Sequence, residues 1–270
     1  MEIANNRLKD AKYVQAAIHG NKFKAGFPDT IVIHFTAGPN GASTVNYFKG
    51  KYARASAHLV VDTDGSVTQM VPFDTVAWHA GPSSFNGRTG YNFFSIGIEI
   101  VNKGWLKKSG SVFRGHYGAT YKAEEVVEGE HRNPKFHYLK YWHAYTPEQI
   151  EAVKQICISL METYNIKHIV GHEEITKGKS DPGPAFPLDK MRNELLGSGR
   201  DQNGPDTDIG KDMKVTASQL NFRTEPSLSA QKAGPPLVRG TKVKVVETQG
   251  QWAKIKVEVE GWVAAKYISE

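Results

Sequence analysis

The chain has 270 residues, 39% hydrophobic, 23% charged and 10% aromatic, with a formal net charge of +6. That balance is ordinary for a soluble globular protein, with room for one substantial domain and a small one, and it excludes a fibrous or low-complexity chain. Its apolar runs, such as Ile31–Ile33 and Leu59–Val61, fall far short of a membrane span, and a single cysteine, Cys157, excludes an internal disulfide or a multi-cysteine metal cluster.

Met1–Asn6 has no basic segment followed by an apolar stretch, so no secretory leader is expected. Thr30–Phe35 is dense in β-branched residues and predicts a strand that carries His34 near its end. Ser43 and Thr44 open a short helix through Tyr47 and Phe48. His58–Val61 and Ser66–Val71 flank the turn residues Asp62–Gly65 and predict a hairpin. Phe94–Val101 alternates Phe94, Ile96, Ile98 and Ile100 with Ser95, Gly97, Glu99 and Val101, a further strand. Between Lys103 and Tyr145 no period is visible, yet Trp105, Phe113, Tyr117, Tyr121, Phe136, Tyr138, Tyr141 and Trp142 argue against disorder. The histidines there (His116, His131, His137 and His143) are assigned no chemistry.

Thr146-Pro147-Glu148-Gln149 is a capping box with proline at the first helical position. The helix it opens places Ile150, Val153, Cys157, Leu160, Met161 and Tyr164 on one face, with Cys157 a small buried hydrophobe. His168–Gly171 is a last short strand, and Leu188–Leu196 a helix stopped by Gly197. The expected fold is α/β, a mixed sheet flanked by helices over residues 1–196. Gly, Asp, Asn and Pro then mark a linker, 197–212. Residues 213–270 show short strands with turn signals and no helix, which suggests a small β-barrel. From Lys214 to the end there are nine Lys/Arg against five Asp/Glu, so most of the net charge lies in this tail.

Two histidines, His34 and His172, each end an apolar strand, and Asp181 follows His172 by nine residues in the rigid segment Asp181–Pro184. Two imidazoles and a carboxylate leave a fourth tetrahedral position open, the pattern of a catalytic rather than a structural zinc site. With ten histidines in the chain, spacing alone favours satisfied core histidines and a turn cap. Glu99, set among isoleucines, is expected to have a raised pKa suited to proton transfer; a solvent-facing strand carboxylate is the alternative.

Five ordered blocks bear on that choice: Ile31–Ala37; Ser56–Asp62 with Asp64-Gly65; Ala77-Trp78-His79-Ala80-Gly81; Ser95–Asn102; and Val170–Ile175 leading to Gly178–Pro187. Together they resemble the type 2 N-acetylmuramoyl-L-alanine amidase family, which shares its fold with peptidoglycan recognition proteins. The resemblance implies one zinc ion held by His34, His172 and Asp181, with Glu99 as catalytic carboxylate. It implies that Lys179 stabilises the oxyanion, and that His79 lies at the cleft in contact with substrate. Recognition proteins often carry cysteine at the third ligand position; here it is Asp181. The blocks also contain His58, as well read as a structural strand residue, while Glu173 and Glu174 read as turn or surface charges and Asn40 as a turn residue.

The tail resembles bacterial SH3-type domains through Leu220–Ser227, Gly240–Val243 and Gly261–Ile268. Its positive charge and aromatics point to stem peptides or anionic wall polymers as partners, beside the peptidoglycan substrate, rather than to nucleic acid. The expected activity is hydrolysis of the amide between N-acetylmuramic acid and L-alanine by a wall-lytic enzyme (an endolysin, autolysin or exported effector). Such an enzyme is made in the cytoplasm and reaches the wall by lysis or dedicated export. A non-catalytic muropeptide-binding module and a cytoplasmic recycling amidase are the competing readings; the complete ligand set argues against the first, the tail domain against the second.

Overall fold

Six strands build the central sheet of the first of two units, Met1–Ser198 and Gly199–Glu270. They are β1 (Lys12–Tyr13), β2 (Thr30–Phe35), β3 (Leu59–Val61), β4 (Val67–Gln69), β5 (Ser95–Ile100) and β6 (His168–Gly171). The computed structural model describes residues 1–196, 210–215, 219–227, 230–249 and 252–257. The expected linker up to residue 209 and the SH3-like block Gly261–Ile268 lie outside the described residues.

The sheet order is β6-β2-β5-β3-β4-β1. Strands β6, β2, β5 and β3 run parallel, β3 and β4 form the expected antiparallel hairpin, and β1 adds parallel to β4. Strand β2 is buried from Thr30 to His34, as a β-branched run inside a parallel sheet should be. Register across β2 and β5 pairs Ile31 with Ile96 and Ile33 with Ile98, so these fully buried isoleucines share one face. The intervening pairs, Val32 with Gly97 and His34 with Glu99, therefore share the other. On that second face Val32 packs with Val170, Ala80, Tyr91 and Ile175.

The helices are α1 (Gly41–Lys49), α2 (Pro147–Thr163), the single turn α3 (His172–Ile175) and α4 (Leu188–Leu196). Asn40 caps α1, its side chain accepting from the Ser43 amide, which accounts for this residue as a turn former. Helix α2 buries Ala152, Val153, Ile156, Cys157 and Leu160, and lies against β3 and α4. Burial pushes the Cys157 thiol up to about 12, the state of an inert core residue. His58 is also fully buried: its Nε2–H donates to the Thr75 carbonyl at 2.9 Å, and its Nδ1 accepts from the Gly97 amide at 3.0 Å. It is a structural core histidine.

The stretch without visible period, 103–145, folds as a five-stranded antiparallel sheet. Its order is Thr120–Tyr121, Val112–Arg114, Trp105–Ser109, Tyr141–His143, Val126–Glu128. Strands of two to five residues joined by turns are too short to leave an alternation in the sequence. Leu106 and Phe113 are buried on one of its faces and Trp142 on the other.

In the second unit, Asp212–Lys214, Lys242–Gln249 and Trp252–Val257 form a three-stranded antiparallel sheet, and Gln219–Leu220 pairs with Leu237–Val238. Val215, Val243 and Val245 are its buried residues among those described. The strand Leu237–Val238 is not foreseen in the sequence, since two residues are too short to leave an alternation. No helix among the described residues is long and apolar enough to cross a membrane.

Two outcomes follow. Thr146 closes a full capping box with Gln149 and also donates to the Thr63 carbonyl, so Thr146→Ala should cost about 1–2 kcal/mol. Urea unfolding followed by the helical circular dichroism signal measures it, and an unchanged midpoint would contradict the assignment. His58 is held neutral, its pKa pushed down to about 4 by burial against the partly compensating Thr75 bond, whereas the unfolded chain takes up a proton near 6.5. Stability contributed by neutral His58 is complete above about pH 6.5 and is lost as the pH falls towards 4, by about 3 kcal/mol in all. Unfolding free energies measured stepwise through that window should fall accordingly, and His58→Gln should remove this share of the slope.

Candidate active site

The parallel register assembles the site. His34 and Glu99 are partners across β2 and β5, and Ile33 pairs with Gly171, so His172 emerges level with His34. Three chemically capable residues thus stand in one row at the carboxyl ends of three adjacent parallel strands, where open α/β sheets place their ligands. Asp181 reaches the row from the loop after α3.

His34 Nδ1 lies 3.0 Å from His172 Nδ1 and 3.0 Å from Asp181 Oδ2, and His172 Nδ1 lies 2.9 Å from the same oxygen. All three residues are buried. The protons can be assigned from the outer hydrogen bonds. His172 Nε2 faces the Ala80 carbonyl at 3.3 Å and must donate to it, which leaves Nδ1 bare. His79 Nε2 faces the Ser95 carbonyl at 3.3 Å and donates there, so its Nδ1 accepts from His34 Nε2 at 3.0 Å. His34 Nδ1 is then bare as well. Two imidazole lone pairs and a carboxylate oxygen converge with no proton among them, an arrangement that a cation resolves. Zinc bound at ~2.0–2.1 Å to tetrahedral ligands sets neighbouring donors about 3.3 Å apart, and the triangle here is within a few tenths of an ångström of that. The donor set fits zinc.

Electrostatics agree. Burial, and after it the neighbouring His172, push the His34 pKa down to about 4, so the imidazole stays in its ligating neutral form. Burial opposes ionisation of Asp181 too, but the two imidazoles outweigh it and hold the carboxyl below its usual range. Glu99 moves the other way. Burial raises its pKa well above the ordinary value, the charge of Asp181 adds to this, and Lys179 opposes it. Its Oε2 is sealed from solvent and has no hydrogen-bond partner among the described residues, although the residue as a whole retains some exposure. Lys179 is exposed on the loop before Asp181, and its charge reaches both His34 and Glu99.

His79, expected in contact with substrate, is only 8% exposed, and both ring nitrogens are engaged by His34 and Ser95. No ring nitrogen is left for a substrate; the geometry makes it the partner that fixes the tautomer of a ligand, as outer residues of metal sites do. Gly97 provides its room: a Cβ there would stand 2.4 Å from the His79 ring.

Glu173, read from the sequence as a turn or surface charge, is also buried. It pairs with His131 Nε2 at 2.6 Å and with Arg132 Nε at 2.8 Å. Glu174 accepts from the Gly171 amide and pairs with Arg132 and Arg192 at the rim. The partners of Glu173 come from the aperiodic stretch 103–145, and no local pattern links residues so far apart in the chain.

Residues 24–184 match the family described as N-acetylmuramoyl-L-alanine amidase, and residues 218–269 match the bacterial SH3 domain family. The Escherichia coli (strain K12) N-acetylmuramoyl-L-alanine amidase AmiD is 29% identical over 187 residues, 65% of this chain and 56% of AmiD. The 1,6-anhydro-N-acetylmuramyl-L-alanine amidase AmpD of the same organism is 31% identical over 144 residues, 52% of this chain and 58% of AmpD. The chain thus spans somewhat over half the length of these two relatives. A crystal structure of a selenomethionine AmpD derivative is similar with a TM-score of 0.53 and 26% identity, covering 71% of this chain and 98% of that one. The match over residues 24–184 takes in the whole row of His34, Glu99 and His172 together with Lys179 and Asp181, and the chain belongs to the N-acetylmuramoyl-L-alanine amidase family.

Proposed function

We propose that this protein is a zinc-dependent N-acetylmuramoyl-L-alanine amidase that degrades peptidoglycan, cutting the amide between the lactyl group of N-acetylmuramic acid and L-alanine. The observation that carries this reading is the convergence of three unprotonated donors, His34, His172 and Asp181, beside a buried carboxyl, Glu99, inside the family segment. The names of AmiD and AmpD state the same bond class for those relatives.

When bound by the three ligands, zinc supplies Lewis acidity, bringing the ionisation of water towards pH ~7 and drawing charge from a carbonyl oxygen. Glu99, which retains some exposure, takes a proton from the attacking water, for which its raised pKa suits it, and returns it to the departing L-alanine nitrogen. The ammonium of Lys179 faces the charge that develops on the carbonyl oxygen. His79 keeps the His34 proton on Nε2, away from the ligand triangle. The reaction needs no covalent enzyme intermediate.

The C-terminal unit, with its SH3 family match and basic charge, is read as the part that holds the enzyme on the wall through stem peptides or anionic polymers. On this reading the domains are the catalytic segment 1–196, a linker 197–212 and the wall-binding segment 213–270, and the protein acts as a wall-lytic enzyme after lysis or export.

Purified sacculi and soluble muropeptides, incubated with the protein with and without a zinc chelator, test the proposal. Mass analysis should find free stem peptides with an N-terminal L-alanine, released from sacculi only without chelator; no release by the zinc-loaded protein would refute the activity. Release from soluble fragments alone would refute the lytic role and leave the amidase. Glu99→Gln should retain zinc and lose about 10²–10⁴-fold in rate.

A further inference from the structure

Asp181 sits in a loop with no ladder of its own, yet four successive backbone groups around it are each tied to a different point. The Ser180 carbonyl faces His131 Nε2 at 3.3 Å, and the Asp181 carbonyl accepts from the Glu173 amide at 2.9 Å. The Pro182 carbonyl accepts from Tyr145 Oη at 2.8 Å, and the Gly183 amide donates to Glu173 Oε2 at 3.2 Å. Gly183, with φ of +71°, lies flat on Trp142: a Cβ there would stand 2.9 Å from that ring. His131 stacks on the same indole, its centroid 5.4 Å away, and Trp142 Nε1 donates to the Gly129 carbonyl.

His131 Nδ1 accepts from the Asn133 amide at 2.9 Å, so its single ring proton is on Nε2, aimed at both Glu173 and the Ser180 carbonyl. His131, Trp142, Tyr145 and Glu173 are all at most 8% exposed. A carboxylate buried to this degree needs partners, and His131 and Arg132 supply them. Three of the four anchoring side chains belong to the stretch 103–145.

We infer that the stretch 103–145, together with Glu173, is the scaffold of the third metal ligand: His131, Tyr145 and Glu173 are positioning residues that hold the Ser180–Gly183 backbone so that Asp181 meets His34 and His172. Without them Asp181 would have to be ordered at the expense of binding free energy, since an irregular loop offers many conformations. None of the three touches the ligand triangle through its side chain; each acts through the main chain of the Asp181 loop. The inference rests on the metal-site reading above.

Zinc affinity, measured by competition against a chelator of known strength, tests it on the full chain. Tyr145→Phe removes one hydroxyl without changing the packing, and Glu173→Gln keeps an acceptor for Gly183 while cancelling the charge that pairs with His131 and Arg132. Each should weaken zinc binding about tenfold or more, and the visible absorption of the cobalt-substituted protein should change as the carboxylate ligand loosens. The melting temperature of the metal-free variants separates this from a purely structural role, which would lower melting and leave the affinity of the folded protein unchanged. Affinities within about twofold of wild type in both variants would overturn the positioning role, since outer residues that orient ligands cost more than this. If the wild-type protein itself takes up no stoichiometric zinc, or Asp181→Asn binds as tightly as wild type, the metal reading fails and the inference with it.

Discussion

Two imidazole nitrogens and a carboxylate oxygen are held within 3.0 Å of one another, in a buried pocket and with no proton between them. In isolation that grouping is repulsive: three lone pairs face a common point where water does not screen them. It persists because the outer ring nitrogen of each histidine and the backbone of Asp181 are committed elsewhere. His172 is turned by the Ala80 carbonyl, His34 by the chain through His79 to Ser95, and the Asp181 backbone by Glu173. The donors are arranged in advance by folding, so a cation that met them would not have to draw them together.

The same geometry separates two carboxylates into different roles. Asp181 and Glu99 are both buried, and burial alone would raise the pKa of each. Asp181 faces two imidazoles and stays ionised, the form of a ligand. Glu99 faces Asp181 and an apolar strand and is raised, the form of a group that exchanges protons. Lys179 moderates that rise from the exposed side of the loop. A pair of like groups pushed in opposite directions by their neighbours is how one site carries out both binding and proton transfer at a single pH.

The stretch 103–145 changes what the candidate site depends on. The core sheet supplies His34, Glu99 and His172 through strand register alone, because parallel strands are rigid and their ends are level. Asp181 has no such support, and the backbone around it is pinned by His131, Tyr145 and Glu173 over the ring of Trp142. Charge pairs at the rim, from Arg132 to Glu174 and Asp189 and from Arg192 to Glu174, extend the attachment to α4. The ligand that comes from a loop is thereby given the rigidity of those that come from strands.

What the sequence by itself determined is whatever repeats at short range. β-Branched runs marked β2 and β6 and put a histidine at the end of each; alternation marked β5 with Glu99 among isoleucines; the capping box marked α2 at Thr146. The ordered blocks supplied the family and, with it, Asp181. Tertiary structure alone decided the level register that lines up His34, Glu99 and His172, the burial of His79 as a partner of His34 and the pairing of Glu173 with His131 and Arg132. It also decided the folding of 103–145 into a sheet of very short strands. The contacts of His34, His79 and Glu173 join residues about 40 to 140 positions apart. No local periodicity encodes them, because they depend on which strands become neighbours and at what height, and that is settled only when the whole sheet is buried.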